Sequence, residues 1–330
     1  SFFFGGGCIL FYSLIIFGGF NVYTMWLFAA ILGFFCACIG FNISHDAIHG
    51  AYSSKHWVNK FIGVITFNVL GANDHVWRMT HNLVHHTYTN IPGHDEDIDV
   101  APGLVRLSPE EELKPHMKYQ HFYAMPLYGL ASISWVFRKD FKKFFQKQIG
   151  QTENKHKPMD YFNLFFFKAL NYTLFIIIPL IVLDITWWQF IIGFVTMHMF
   201  FGLTLGLVFQ LAHVVEGPEF PEPNEAGNIE EVWAIHQMRT TANFAMNSWL
   251  ANFICGGLNM QIEHHLFPLV CHTHYRQISK IVKATAHEFG VPYHENKTFL
   301  GATMSHIRML KKFGREALVE NQNKKLELVN

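Results

Sequence analysis

The chain has 330 residues with 25 basic and 25 acidic side chains, so it has no formal net charge and lacks the basic footprint of a nucleic-acid binder. Half of its residues are hydrophobic and 16% are aromatic, a high apolar content for a soluble domain. Histidine is overused at 21 residues, while the five cysteines (Cys8, Cys36, Cys38, Cys255, Cys271) contain no Cys-x-x-Cys pair, which argues for buried apolar thiols and against a disulfide framework.

Ser1 opens a Phe-rich apolar run with no initiator Met, so the natural N-terminus is expected to lie upstream. The run has no basic stretch before it and does not read as a signal peptide. Spanning the hydrocarbon core takes about 20 apolar residues. Four runs reach that length: 3–20, 23–43, 165–185 and 188–208, the last continuing as helix to His213. They form two hairpins, with short turns around Asn21 and at 184–187, and Trp187 and Trp188 suit an interfacial belt. Lys168 is expected to snorkel from the start of the third span. Between the hairpins, 57–70 and 122–137 are too short or too interrupted to span, and Pro126 breaks the second. They read as interfacial amphipathic helices. The acidic Pro/Gly-bearing segments 91–99 and 216–231 read as solvated loops. The expected fold class is an all-α integral membrane protein: four transmembrane helices in two hairpins, interfacial helices and a cytosolic helical cap (44–164 and 214–330), all one domain over 1–330.

Charge sets the expected orientation. No Lys or Arg occurs in 1–54 or 169–238, so all 25 fall in 55–168 and 239–330. By the positive-inside rule the two long polar segments are cytoplasmic and the two short turns are outside. The expected location is therefore a membrane, taken to be a bacterial inner membrane, with the catalytic face on the cytoplasmic side.

That side collects the histidines. His45 and His49 stand four apart at the inner end of the second span, and His81, His85 and His86 repeat the spacing. Gln261, His264 and His265 share one helical face at i, i+3 and i+4. His213, at the inner end of the fourth span, lies at the same expected depth. Imidazole is the commonest metal ligand. Seven box imidazoles are too many for one zinc, which takes three or four ligands, and suit two metals with open positions. Copper(I) would favour thiols, and no box contains Cys, so two irons serving oxygen activation fit best. Bound imidazoles need their second N–H oriented, commonly by carboxylates. Asp46, Asp74, Glu263 and the acidic run 95–99 are the candidates. His236, His272 and His274 are expected in structural hydrogen bonds, and His198 in a buried contact within its span.

His45–His49, His81–His86 and Gln261–His265 resemble the three histidine boxes of the membrane fatty acid desaturases, in order and in position between spans. Gln261-Ile262-Glu263-His264-His265-Leu266-Phe267-Pro268 is close to the front-end, linoleoyl-CoA desaturase-like subgroup, which carries Gln where other members carry His. His213 matches a further ligand of the stearoyl-CoA branch. The resemblance implies a di-iron centre with O₂ as co-substrate, a helical membrane stem with a cytosolic cap, and a long acyl substrate on CoA or lipid that gains a cis double bond. Two departures stand out. The His-Pro-Gly-Gly haem motif usually fused to eukaryotic front-end members is missing, so electrons are expected from a separate ferredoxin or b-type cytochrome. Gln261 leaves one ligand position open between oxygen ligation, a water bridge and an empty site. The nearest rival is a hydroxylase or alkane monooxygenase on the same scaffold. A membrane zinc hydrolase or receptor would need one zinc and no reductant, and an electron carrier would need paired axial histidines within spans.

Overall fold

The computed structural model describes residues 1–95, 97, 101–225 and 228–316. Glu96, Asp99 and Asn330 lie outside the described residues.

The stem is helical. Helix α1 (Phe2–Phe17) runs into α2 (Val22–His49), whose start is capped by Asn21 Oδ1 accepting from the Tyr23 and Thr24 amides. Gly50, at φ 80°, ends α2 in the left-handed conformation that favours glycine. Helix α3 (His56–Val69) lies beside it, followed by α4 (74–88), which carries the second histidine box. Helices α5 (Gln120–Tyr128) and α6 (131–144) lead to a short antiparallel pair, β1 (Gln148–Ile149) with β2 (Thr152–Glu153). The second hairpin is α7 (Pro158–Val182) and α8 (Trp187–His213). The C-terminal part adds α9 (Trp233–Thr240), α10 (Trp249–Cys255), α11 (Gln261–Leu266), α12 (Tyr275–Glu288) and α13 (Phe299–Phe313). A parallel pair, β3 (Ala242–Phe244) with β4 (His294–Asn296), ties its two halves together.

The protein is thus mostly helical, with little sheet. Among the described residues three helices, not four, are long and apolar enough to cross a bilayer: α2, α7 and α8. Helix α1 stops at 16 residues, about 24 Å of helix, against a hydrocarbon core of about 30 Å. Composition made it look longer, because Gly18 and Gly19 are followed by the apolar Phe20, and Gly19 turns at φ 63°.

The core runs along the contact of α2 with α8, where Leu32, Cys36 and Ala37 meet Met197, Phe201 and Leu205. Gly33 permits this approach, since a Cβ there would run into the Met197 carbonyl. The third span begins at Pro158 rather than near 165, because proline suits the first helical turn. Lys168 therefore lies inside the helix and does not snorkel. It is buried, and its Nζ donates to Asp140 Oδ2 (2.7 Å), Gly71 O (2.7 Å) and Trp135 O (2.9 Å). The expected segment 57–70 forms α3. The segment 122–137 is split between α5 and α6 after Pro126. All five cysteines are free.

Candidate metal centre

Four elements deliver the box residues. Helix α2 leaves the apolar stem through a π-helical turn at Gly40–His45 and ends on His45 and His49. Helix α4 contains another π-helical turn, Arg78–His85, and presents His81, His85 and His86. Such widened turns are frequent at functional sites. His213 is the last residue of α8, and α11 carries Gln261, His264 and His265. The loop before α11 passes so close to α2 that a Cβ on Gly256 would sit 2.7 Å from the Phe41 carbonyl.

The structure brings all eight histidines together, each of them buried. Ligand nitrogens of His45, His49, His81 and His264 lie within 4.8 Å of one another, and those of His85, His213 and His265 form a second such group. The His86 ring lies between them, with its centroid 4.8 Å from His264 and 4.5 Å from His265. Gln261 faces the second group, its Nε2 donating to His213 Nε2 at 3.3 Å.

The outer ring nitrogens fix the tautomers. His81 Nδ1 donates to Asp97 Oδ2 (2.8 Å), and His85 Nδ1 donates to Asp95 Oδ2 (2.9 Å). His264 Nδ1 donates to the Tyr275 hydroxyl (3.2 Å), His265 Nδ1 to Gln237 Oε1 (2.7 Å) and His213 Nδ1 to Thr240 O (3.4 Å). Each of these Nε2 atoms then turns a lone pair inward, that of His213 accepting from Gln261 Nε2. The Nε2 atoms of His49, His85, His264 and His265, both nitrogens of His86, and Gln261 Oε1 are buried without a hydrogen-bond partner. His45 Nε2 and His81 Nε2 face each other at 3.2 Å. Unpartnered buried polar atoms are costly, and so many converging lone pairs fit cations.

Electrostatics agree. Burial, reinforced by the neighbouring imidazoles, holds His81, His86, His264 and His265 well below the ordinary histidine range, so they are neutral and able to ligate. Burial also pulls on His85, but the adjacent Asp95 carboxylate outweighs it and raises that imidazole.

Of the candidate carboxylates, Asp95 and Asp97 bind box histidines, and Asp46, Asp74 and Glu263 bind other partners. Asp46 accepts from His272 Nδ1 (2.7 Å), Asp74 from Asn68 Nδ2 (2.7 Å), and Glu263 from Asn243 Nδ2 and Tyr293 OH (both 2.8 Å). Asp46 and Glu263 are sequence neighbours of box histidines, so they point about 100° away around the helix. The segment after the second box supplies the orienting carboxylates, and it is not a solvated loop. Asn90 turns the chain back at φ 55°, and its amide donates to Asp95 Oδ2 (2.9 Å). Asn90 Nδ2 also donates to His213 O and Thr240 O, both at 3.1 Å. Gln237, Thr240 and Tyr275 had no box signature to mark them. Gln237 lies on α9, which carries no histidine box, yet it binds His265 and donates through Nε2 to His86 O (3.2 Å). As expected, His198 makes a buried contact, with Ser132 Oγ 3.0 Å from its Nδ1.

Residues 21–297 match the fatty acid desaturase family. The chain belongs to that family. It is 38% identical to the sn-1 linoleoyl-lipid 6-desaturase of Arthrospira platensis over 302 residues, covering 91% of this chain and 81% of the relative. The sn-1 linoleoyl-lipid 6-desaturase of Synechocystis sp. is 39% identical over 291 residues, 86% of this chain and 79% of its own. The acyl-lipid (8-3)-desaturase of Physcomitrium patens is 37% identical over 317 residues, covering 95% of this chain and 65% of the relative. These relatives fit the front-end-like subgroup indicated by the third box. The desaturase is accordingly an oxidoreductase of lipid metabolism, a membrane protein that acts on fatty acyl chains.

Proposed function

We propose that this desaturase uses two irons and O₂ to place a cis double bond in a long acyl chain carried on a membrane lipid, with electrons from a separate ferredoxin or b-type cytochrome. The observation that carries the reading is the pair of converging buried imidazole groups, in which His81, His85, His213, His264 and His265 have their outer nitrogens bound and several inner nitrogens have no partner. His45, His49, His81 and His264 would hold one ion. His85, His213 and His265 would hold the other, with His86 between the two and the Gln261 amide at the second. The ions would supply the activation of O₂ that side chains alone cannot perform.

The protein's own part is to present the acyl chain and keep water away. A narrow apolar cavity of ≈ 30 Å³ reaches His45 between Phe67, Leu70, Trp77, Trp135, Leu205 and Phe209. Sites for molecules of this size are commonly about 300 Å³ or more, so these side chains have to part as the chain enters. These mostly apolar side chains would then close around the methylenes and leave little room for water. The names of the two cyanobacterial relatives support a lipid-linked substrate over a CoA thioester. The basic-residue pattern supports a cytoplasmic site, with Asn21 and Asp184 on the far side of a bacterial inner membrane.

Mass spectrometry of lipids from a host expressing the protein with a reductant supply tests the activity. An acyl product lighter by two hydrogens is expected, whereas one heavier by an oxygen would make it a hydroxylase. Elemental analysis of active enzyme is expected to give two irons per chain, and one zinc alone would overturn the di-iron reading. Cysteines placed at 21 and 184 should label from outside and one at Lys280 should not. The reverse pattern would remove the cytoplasmic assignment.

A further inference from the structure

Another set of ligating side chains stands apart from the boxes, where α4, the 144–157 connection and the start of α7 meet. His75, His156 and Asp160 each offer an atom within 4.8 Å of the others. None of the three belongs to a histidine box, and the proposed acyl chemistry uses none of them.

Hydrogen bonding decides which atoms they offer. Asn154 Nδ2 donates to the carbonyls of Lys143 (2.9 Å), Phe144 (3.1 Å) and Gln146 (3.0 Å), which fixes the amide so that Oδ1 is its free acceptor. His75 Nε2 lies 3.3 Å from that oxygen and must donate to it. His75 Nδ1 is then a bare lone pair. His156 Nε2 donates to Phe144 O at 2.6 Å, so its Nδ1 is bare as well, and that atom is buried with no partner. The His156 ring is held flat on Phe144, with centroids 3.8 Å apart and planes 8° apart. Asp160 is set by its place in the first turn of α7, where Oδ2 accepts from the Lys157 amide at 2.7 Å. Its carboxylate lies 3.8 Å from His75 Nδ1, too far for a hydrogen bond.

Two imidazoles with their outer N–H groups bound to protein acceptors, plus a carboxylate, is how ligands are oriented around a metal. We propose that His75 Nδ1, His156 Nδ1 and the Asp160 carboxylate bind a single zinc-class divalent ion. Two imidazole nitrogens favour zinc over magnesium or calcium, which prefer oxygen. Bonds of about 2.0–2.1 Å in a tetrahedron put ligand atoms about 3.3 Å apart, so the 3.8 Å separation needs only a small side-chain rotation. The fourth position faces solvent, because His75 and Asp160 line an open vestibule of ≈ 650 Å³, bounded on another side by His49, that gives an ion its path in. Helix α4 carries the second box and α7 is a long apolar span, so the ion would pin one to the other.

The test uses the iron-loaded enzyme equilibrated with buffered Zn²⁺, followed by elemental analysis. The wild type should take up one zinc per chain with no loss of iron. His156→Phe, which keeps the stacking, and Asp160→Asn, which keeps an acceptor for the Lys157 amide, should retain iron and desaturation. Their zinc affinity should fall at least about tenfold. X-ray absorption at the zinc edge of the wild type gives a readout that no variant's folding can spoil, with two imidazoles and oxygen ligands expected. No zinc uptake, zinc gained only as iron is lost, zinc retained undiminished in both variants, or three or more imidazoles around the zinc would each overturn the site.

Discussion

Four imidazoles meet in one histidine group, and three imidazoles with a carboxamide meet in the other. The first takes two of its members from a single helix, since His45 and His49 share the inner end of α2 and move together. The second draws one imidazole each from α4, α8 and α11, so its shape depends on three helix ends being placed independently. Asn90 shows how that is managed, because it ties the carbonyls of His213 and Thr240 to the turn that returns Asp95 to His85. The first group has half of its members on one membrane helix, and the second takes each member from a different helix and leans on loop hydrogen bonds to align them. The second group should therefore be the more easily emptied.

His213→Ala probes this most severely. It leaves the second group two imidazoles, and turnover should fall by at least about a hundredfold. Iron should drop from two per chain towards one while the protein stays folded. Simultaneous loss of both irons would show that the groups are not separable, and full activity would return His213 to a helix-end hydrogen-bonding role. Asp95→Asn comes next. It removes the carboxylate from His85 Nδ1 and from the Asn90 amide, and should weaken iron retention about 10–100-fold, again in the second group first. A chelator titration monitored by iron content would separate the two ions.

Acid pH should act on both groups. His81, His86, His264 and His265 have folded-state values held below the ordinary 6.5. The unfolded chain therefore takes up protons first as pH falls. Metal-free protein should keep its full stability above pH 6.5 and lose about 1.4 kcal/mol per pH unit for each such imidazole below it. His85, raised by Asp95, opposes the trend for one residue. Thermal melts of metal-free protein between pH 5 and 8 would show this, and a flat profile would mean that the imidazoles are not buried neutral. The smallest effect is expected at Gln261. Gln261→Ala should cost a few-fold in activity, and Gln261→His should be tolerated because it completes a fourth imidazole. An Ala variant as inactive as His213→Ala would make the carboxamide an obligatory ligand.

Much of the site was legible because its chemistry is concentrated. Histidines at helical spacing announce a shared face, and long apolar runs with few charges announce α2, α7 and α8. What lay hidden depends on contacts between distant segments. Asp95 was among the candidate orienting carboxylates, but it sits in an acidic Pro/Gly stretch that reads as solvated, and its burial through the Asn90 turn was not legible. Gln237 and Tyr275 are ordinary residues on ordinary helices, and their role comes from packing against α11. Lys168 looked like an interfacial residue until its partner Asp140 was placed 28 positions away. The length of α1 was misread because glycine and phenylalanine both count as apolar while only one of them ends the helix.

The widened turns at Gly40–His45 and Arg78–His85 set a helical phase. Each holds a residue more per turn than the α-helix around it, so box one is rotated relative to the span that carries it. The lipid-facing stripe of α2 and the direction of His45 and His49 are therefore separate quantities, tunable one without the other. Straightening the turn to α geometry at constant length would swing both imidazoles about 100° off the shared pocket, although hydrophobicity, length and every ligand would be preserved. Point substitutions in this stretch change only the fit of a side chain. A one-residue deletion would close the turn to α geometry and keep the bearing of the box, whereas straightening without a deletion would lose it.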